Sequence, residues 1–257
     1  MPFTFAHPAA VLPLRRLRYL QTVPLVIGSM VPDVPYFFPE RVGRLFPDTH
    51  TLSGSFWVCL PTGMVLLIAI LLLRDPLTIL LGPRLRYLCL RSIDRYLESP
   101  LHWPAAILSV LVGSWTHLAW DSFTHSGGWT TLRVAALTAP VSIFGWQTEL
   151  NHLLQYVSSA FGLAVLALWL SRMLPRVPPA VVLDPSQPRA RWLVLGTILT
   201  VAVAFGLWRC VWMYYRSEYY HMGFIFLTRS IGSFAAMYLV TGMLVVLGRR
   251  LELEPAG

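Results

Sequence analysis

Five apolar runs, residues 56–73, 104–120, 150–170, 192–211 and 223–247, restrict this chain more than any motif does. As helices they reach roughly 25–37 Å, against a bilayer hydrocarbon core of about 30 Å. Backbone in lipid must satisfy its own polar groups, so runs of this kind fold as helices. Composition agrees: 12% of residues are charged and 56% hydrophobic, with mean hydropathy +0.60, where a soluble domain carries about a quarter charged residues. The expected fold is all-α, a polytopic transmembrane helix bundle of about five spans plus an N-terminal re-entrant or interfacial helical hairpin. It is expected to form a single membrane domain over 1–257. Within it, 1–55 holds the hairpin and a loop, 56–170 the core spans, 171–191 a Pro-rich loop and 192–257 two C-terminal spans.

The formal charge of +8 comes from 20 arginines and no lysine. Most of them lie between apolar runs, which the positive-inside rule explains without a nucleic-acid partner, and none is expected. The 74–100 segment has five arginines, 172–191 has four and 248–257 has two, eleven in all; 121–149 and 212–221 have one each. Five spans with the eleven inside make the chain a multi-pass cell-membrane protein with a cytoplasmic C-terminus. Residues 1–55 add five arginines on the other side. A hairpin that dips into the membrane eases this by carrying Arg15, Arg16 and Arg18 to its turn. The first twenty residues do not read as a secretory signal, because these arginines follow the apolar part. A short helix is expected over 8–19, an apolar stretch broken by Pro24, Gly28, Pro32 and Pro35 over 20–38, and an interfacial helix over 134–144. Cys59, Cys89 and Cys210 have no metal-type spacing and read as small buried residues.

Polar chemistry gathers at the ends of these runs. In Gly113-Ser-Trp-Thr-His-Leu-Ala-Trp-Asp-Ser-Phe-Thr-His-Ser-Gly-Gly128, His117, Asp121 and His125 recur every four residues. On a helix continuing to about residue 125, and stopped by Gly127-Gly128, they share one stripe. Two imidazoles and a carboxylate on one stripe suit zinc, manganese or iron. Span parity brings His50 to the same extracytoplasmic face, and the hairpin can return His7 and Asp33 there. The candidate ligands are therefore His7, Asp33, His50, His117, Asp121 and His125, enough for one metal with supporting partners or for two metals. Each also has a plainer reading, as a polar helix end or a loop residue. His152 begins the third span on the site face, and Arg229 lies within the fifth; both are candidate substrate contacts. Arg229 also reads as an arginine snorkelling to the interface. His102 and His221 read as interfacial residues.

The segments MPFTFAHPAAVLPL, IGSMVPDVPYF, THTLSG, THLAWDSFTHSGGW and LLQYVSS resemble a family of bacterial, actinobacterial-type integral membrane proteins of unknown function. That family is distantly similar to inner-membrane metal-dependent hydrolases, which share an N-terminal His, a Pro-Asp, a His in a Thr/Arg-His-Ser/Thr loop and a His-x3-Asp helix. The pattern falls on His7, Asp33, His50, His117 and Asp121, with His125 one turn further, and the likeness is close over residues 1–170.

The functional expectation is a membrane-bound metal-dependent hydrolase of the bacterial inner membrane. Its site lies at the extracytoplasmic face and uses a divalent metal, zinc first and manganese or iron as alternatives. Asp33 or Asp121 is the candidate general base, and the substrate is a lipid or phosphoester presented by the bilayer. The alternative is a non-enzymatic membrane scaffold or transporter with a structural metal. Sequence does not separate an open metal site from a closed one.

Overall fold

The computed structural model describes residues 3–99, 101–178, 188–214 and 222–253. In chain order the α-helices are α1 (Pro8–Val11), α2 (Thr22–Met30), α3 (Glu40–Gly43), α4 (Leu52–Gly54), α5 (Leu60–Leu72), α6 (Arg74–Thr78), α7 (Pro83–Glu98), α8 (His102–Thr124), α9 (Leu150–Met173), α10 (Pro188–Tyr214) and α11 (Met222–Leu253). A π-helical turn, Ser55–Cys59, joins α4 to α5, and 3-10 turns flank α1 and follow α2. Among the described residues, four stretches are long and apolar enough to cross a membrane: Leu52–Leu72, Leu150–Arg176, Arg189–Tyr214 and Met222–Arg249.

Helix α8 covers the second apolar run of the sequence but is not one of those four. Its buried residues include Ser109, Ser114, His117, Asp121 and Thr124. A helix with one face buried against protein can carry on that face polar groups that lipid would not tolerate.

The chain forms two compact units. One comprises Met1–Val34, Leu45–Ala69 and Asp94–Arg176. Its centre is the packing of α2 on α8. A Cβ added to Gly28 would lie 2.2 Å from the Val110 carbonyl oxygen, and one added to Gly113 would lie 2.4 Å from that of Leu25. Only glycine allows the two backbones this close, the usual device where helices associate by close packing in lipid. Ser114 Oγ donates to the Gly28 carbonyl at 3.2 Å, and the Gln21 N–H donates to Ser109 Oγ at 2.8 Å, so polar side chains fasten both ends of the contact. Leu25, Val31 and Val110 fill it and are almost wholly buried. The N-terminal turns lie against α9, where the Phe3 N–H donates to Ser159 Oγ at 2.9 Å.

The other unit comprises Pro35–Arg44, Ile70–Ile93 and Val177–Gly257. Its core is Ile79, Leu80 and Ile198, packed by Val194, Leu195, Phe234, Met237 and Tyr238. The Tyr238 hydroxyl donates to the Leu77 carbonyl at 3.0 Å and fixes α11 on α6.

Two local expectations change. The 8–19 helix is broken into α1 and a 3-10 turn, Leu14–Arg16, that starts at Pro13; proline supplies no N–H to continue the first helix. In place of an interfacial helix over 134–144 the chain forms a 3-10 turn, Ala135–Thr138, and a hairpin of β1 (Pro140–Ile143) and β2 (Trp146–Glu149). The strands are antiparallel, with Pro140 opposite Glu149. Phe144 and Gly145, at φ 49° and 82°, make the reversal. His221, most of the tyrosine-rich segment before it, and Pro179 and Pro185 of the Pro-rich loop lie outside the described residues.

Candidate metal centre

Asp33 comes from the 3-10 turn Val31–Phe37 after α2, where Pro32 and Pro35 oppose continuation of the α-helix. His50 comes from the loop before α4. Thr51 caps that helix by accepting the Gly54 N–H at 2.9 Å, while Asp48, in the left-handed region at φ 55°, turns the chain sharply beforehand. His117 and Asp121 lie one turn apart on α8, and His7 links the first 3-10 turn to α1.

Asp33, His50, His117 and Asp121 each offer one ligand atom, all within 4.8 Å of one another. His50 Nε2 is 3.3 Å from Asp33 Oδ1 and 3.6 Å from Asp121 Oδ2. His117 Nε2 is 3.6 Å from Asp33 Oδ1 and 3.2 Å from Asp121 Oδ2. Four ligand atoms placed tetrahedrally about 2.0–2.1 Å from a zinc ion are about 3.3 Å apart. These separations are of that size.

The outward atoms of the same side chains are already engaged. His117 Nδ1 donates to the Ser29 carbonyl at 2.8 Å, which leaves Nε2 as the lone-pair nitrogen. The Thr4 hydroxyl donates to Asp33 Oδ2 at 2.7 Å and leaves Oδ1 facing the centre. His50 Nδ1 is 3.1 Å from the Thr49 hydroxyl. Among the described residues none hydrogen-bonds Asp33 Oδ1, His117 Nε2, His7 Nε2 or either Asp121 carboxylate oxygen, though all are buried. Bare buried polar atoms cost about 1–3 kcal/mol each, and more when charged. Several converging on one point, with their far sides satisfied, is how metal ligands are held. The donor set fits a divalent ion.

His7 lies beside this group. Its ring stacks on that of His117 with centroids 3.8 Å apart, and its Nε2 is 3.5 Å from Asp121 Oδ1. Burial, helped by the nearby His117, lowers its pKa to about 4, so the ring is neutral at neutral pH. Burial alone would raise the Asp33 carboxyl, but the adjacent imidazoles of His50 and His117 and the Thr4 hydroxyl bring it down to about 2.

His125 is one residue too late for the helical stripe. It is the C-cap of α8, in extended conformation, and its Nδ1 is 3.2 Å from the Asp121 carbonyl oxygen and 3.6 Å from Asp121 Oδ2. It stands at the rim and is not one of the four converging residues. His152 lies beyond it in a polar cluster: its Nε2 is 3.4 Å from Ser126 Oγ, which donates to Glu149 and accepts from Asn151. Arg229 belongs to the other unit, where it donates to the Phe38 carbonyl at 3.2 Å. Thr4 and Ser29 support the site without standing out in the sequence. The signal for Thr4 is its place three residues before His7; the Ser29 contribution is a backbone carbonyl and has none.

Fold and site together define a helical protein with membrane-type helices and a buried His/Asp group able to hold a metal ion. The chain belongs to the DUF4184 family, a domain of unknown function, which matches residues 1–248. No curated protein and no solved structure matches it.

Proposed function

We propose that this chain is a membrane-bound, metal-dependent hydrolase acting on a lipid or phosphoester at the extracytoplasmic face. The observation that carries the reading is the inward convergence of Asp33 Oδ1, His50 Nε2, His117 Nε2 and Asp121 Oδ2. A zinc ion there would acidify a bound water and polarise an ester oxygen. Asp33, His50, His117 and Asp121 would hold the ion. Asp121 Oδ1, turned toward His7, is the acceptor for the proton that water gives up, and His7 Nε2 orients it. Water adds across the ester bond, and the alcohol leaves with a proton returned from this pair. His50 and His125, each with a side chain about one-third exposed, form the water-facing side, and His152 with Ser126 offers polar contacts to a substrate headgroup. The resemblance of the His7, Asp33, His50, His117 and Asp121 pattern to inner-membrane metal-dependent hydrolases points the same way. The five-span count and cytoplasmic C-terminus belong to this reading, with α8 making the fifth span.

The test is metal content of the purified protein by mass spectrometry beside His117→Ala/Asp121→Ala. About one zinc per chain, lost in a double variant that still folds, followed by hydrolysis of a phosphoester or lipid ester by the wild type, supports the reading. No metal after reconstitution with zinc and manganese sinks it. Stoichiometric metal with no hydrolysis of any ester offered leaves a structural metal in a scaffold or transporter.

A further inference from the structure

Beside the metal centre, within the same unit, α8, α9 and α1 enclose an apolar groove of about 630 Å³. One wall is Thr116, Ala119, Trp120, Phe123 and Thr124, a helical stripe offset by one residue from the ligand stripe of His117 and Asp121. The other is Leu154, Val157, Ser158 and Phe161 of α9, and Ala10 closes the base. The groove offers almost nothing to water, because its hydroxyls are spent internally. Thr116 Oγ1 donates to the Gly113 carbonyl at 2.7 Å and Thr124 Oγ1 to that of Trp120 at 3.4 Å. Ser158 Oγ donates to the Gln155 carbonyl at 3.3 Å and accepts the Trp120 indole N–H at 3.2 Å.

A smaller cavity of about 100 Å³ shares Ala10, Trp120, Ser158 and Phe161 with the groove, and His7, whose imidazole faces Asp121, is among its lining residues. The groove thus adjoins a cavity that touches the centre. Of the groove's lining, Phe123, Val157 and Phe161 are about half exposed or more, on helices α8 and α9, and α9 is one of the four stretches able to cross a membrane. Around such a helix the available apolar matter is hydrocarbon chain, and 630 Å³ is in the usual range for a small-molecule site.

Building on the hydrolase reading, we infer that the α1/α8/α9 groove receives a hydrocarbon chain of a membrane lipid and so brings that lipid's headgroup ester to the His/Asp centre. The substrate class is then a lipid ester or phosphoester rather than a water-soluble one. The groove sets which lipids enter, while the centre sets which bond is cut.

The experiment is photolabelling in nanodiscs that contain phosphatidylcholine with a diazirine near the acyl-chain end, followed by peptide mapping. It is run on metal-loaded and on chelator-stripped protein, with metal per chain measured in parallel. Label should concentrate on residues 116–124 and 154–161 in both forms. It should fall about tenfold in Ala119→Trp, which fills the groove, while metal content stays at the wild-type value. Should Ala119→Trp not fold, Ala10→Phe blocks the base of the groove and should do the same. Label spread evenly along α9, α10 and α11, or undiminished by the blocking variants, means ordinary surrounding lipid and overturns the inference. Chain-to-chain adducts at these residues, in place of lipid adducts, assign the groove to a second copy and also overturn it. Labelling needs neither metal nor turnover. A groove that labels as expected in a protein that takes up neither zinc nor manganese on reconstitution would therefore refute the hydrolase reading and leave the groove assignment standing.

Discussion

Asp33 divides its carboxylate between two duties. Oδ2 takes the Thr4 hydroxyl, and Oδ1 is left for the centre. Partners of this kind typically raise metal affinity 10–100-fold. Thr4→Val should therefore weaken zinc binding by about that factor in a competition titration against a chromogenic chelator, whereas Thr4→Ser should keep wild-type affinity. His117→Ala removes a ligand and also strands the buried Ser29 carbonyl, so metal content should fall below about a tenth of an ion per chain and the melting temperature should drop with it. How well such residues could be read beforehand follows from how local their signals are. His117 and Asp121 are separated by one helical turn, and helical period alone links them. Asp33 and His50 are tied to that pair only by tertiary contact, and were legible as polar residues out of place beside apolar runs. Thr4 is an ordinary threonine until the fold sets it against Asp33. His125, at the C-cap where the backbone leaves helical conformation, still brings its ring to the rim beside Asp121.

The α2–α8 contact sets Asp33, in the turn that follows α2, against His117 and Asp121 of α8, so its geometry governs that of the site. Alanine at Gly28 would press a methyl group into the Val110 carbonyl, and alanine at Gly113 would press one into that of Leu25. Backbone meets backbone at both places, so the helices must move apart. Overpacking of this sort costs about 1–3 kcal/mol, and occasionally more. Gly28→Ala should lower thermal stability and, by shifting Asp33 relative to His117, lower zinc occupancy in the same sample. A variant that kept full occupancy and unchanged melting would show that the helices tolerate a wider spacing than this account allows. Helix α8 itself was legible as an apolar run, but the packing of its buried face on α2 was not, because Ser109 and Ser114 meet Gln21 and Gly28 only after folding. The hairpin over β1 and β2 was missed for a chemical reason. Its turn uses Phe144 at positive φ, a position where asparagine or aspartate would have announced the reversal.

The chain as a whole is read from charge as much as from apolarity. In the proposed orientation the arginine-rich segments 74–100, 172–191 and 248–257 and the C-terminus lie in the cytoplasm, and His50, His117 and Asp121 face outward. A green fluorescent protein fused after Gly257 should fluoresce, and an alkaline phosphatase fused there should be inactive. The opposite pair of results would reverse the membrane and move the centre to the cytoplasmic side. The helical class and the apolar runs were plain in the sequence because lipid imposes them on every segment alike. The division into two compact units was not, since it depends on which helices pack together and leaves no mark on composition.

Ser29 and His117, 88 residues apart, meet in a single hydrogen bond. Synthesis therefore delivers α2 long before α8, the helix against which Leu25, Val31 and Gly28 are buried. Nine residues long, α2 is too short to anchor itself across a bilayer in the meantime. Until α8 arrives, the beginning of the chain is an unmatched half, parked at the membrane with an apolar face and an aspartate together. Assembly of the α2–α8 contact thus runs backwards along the sequence: the later-made helix gives the earlier one its place.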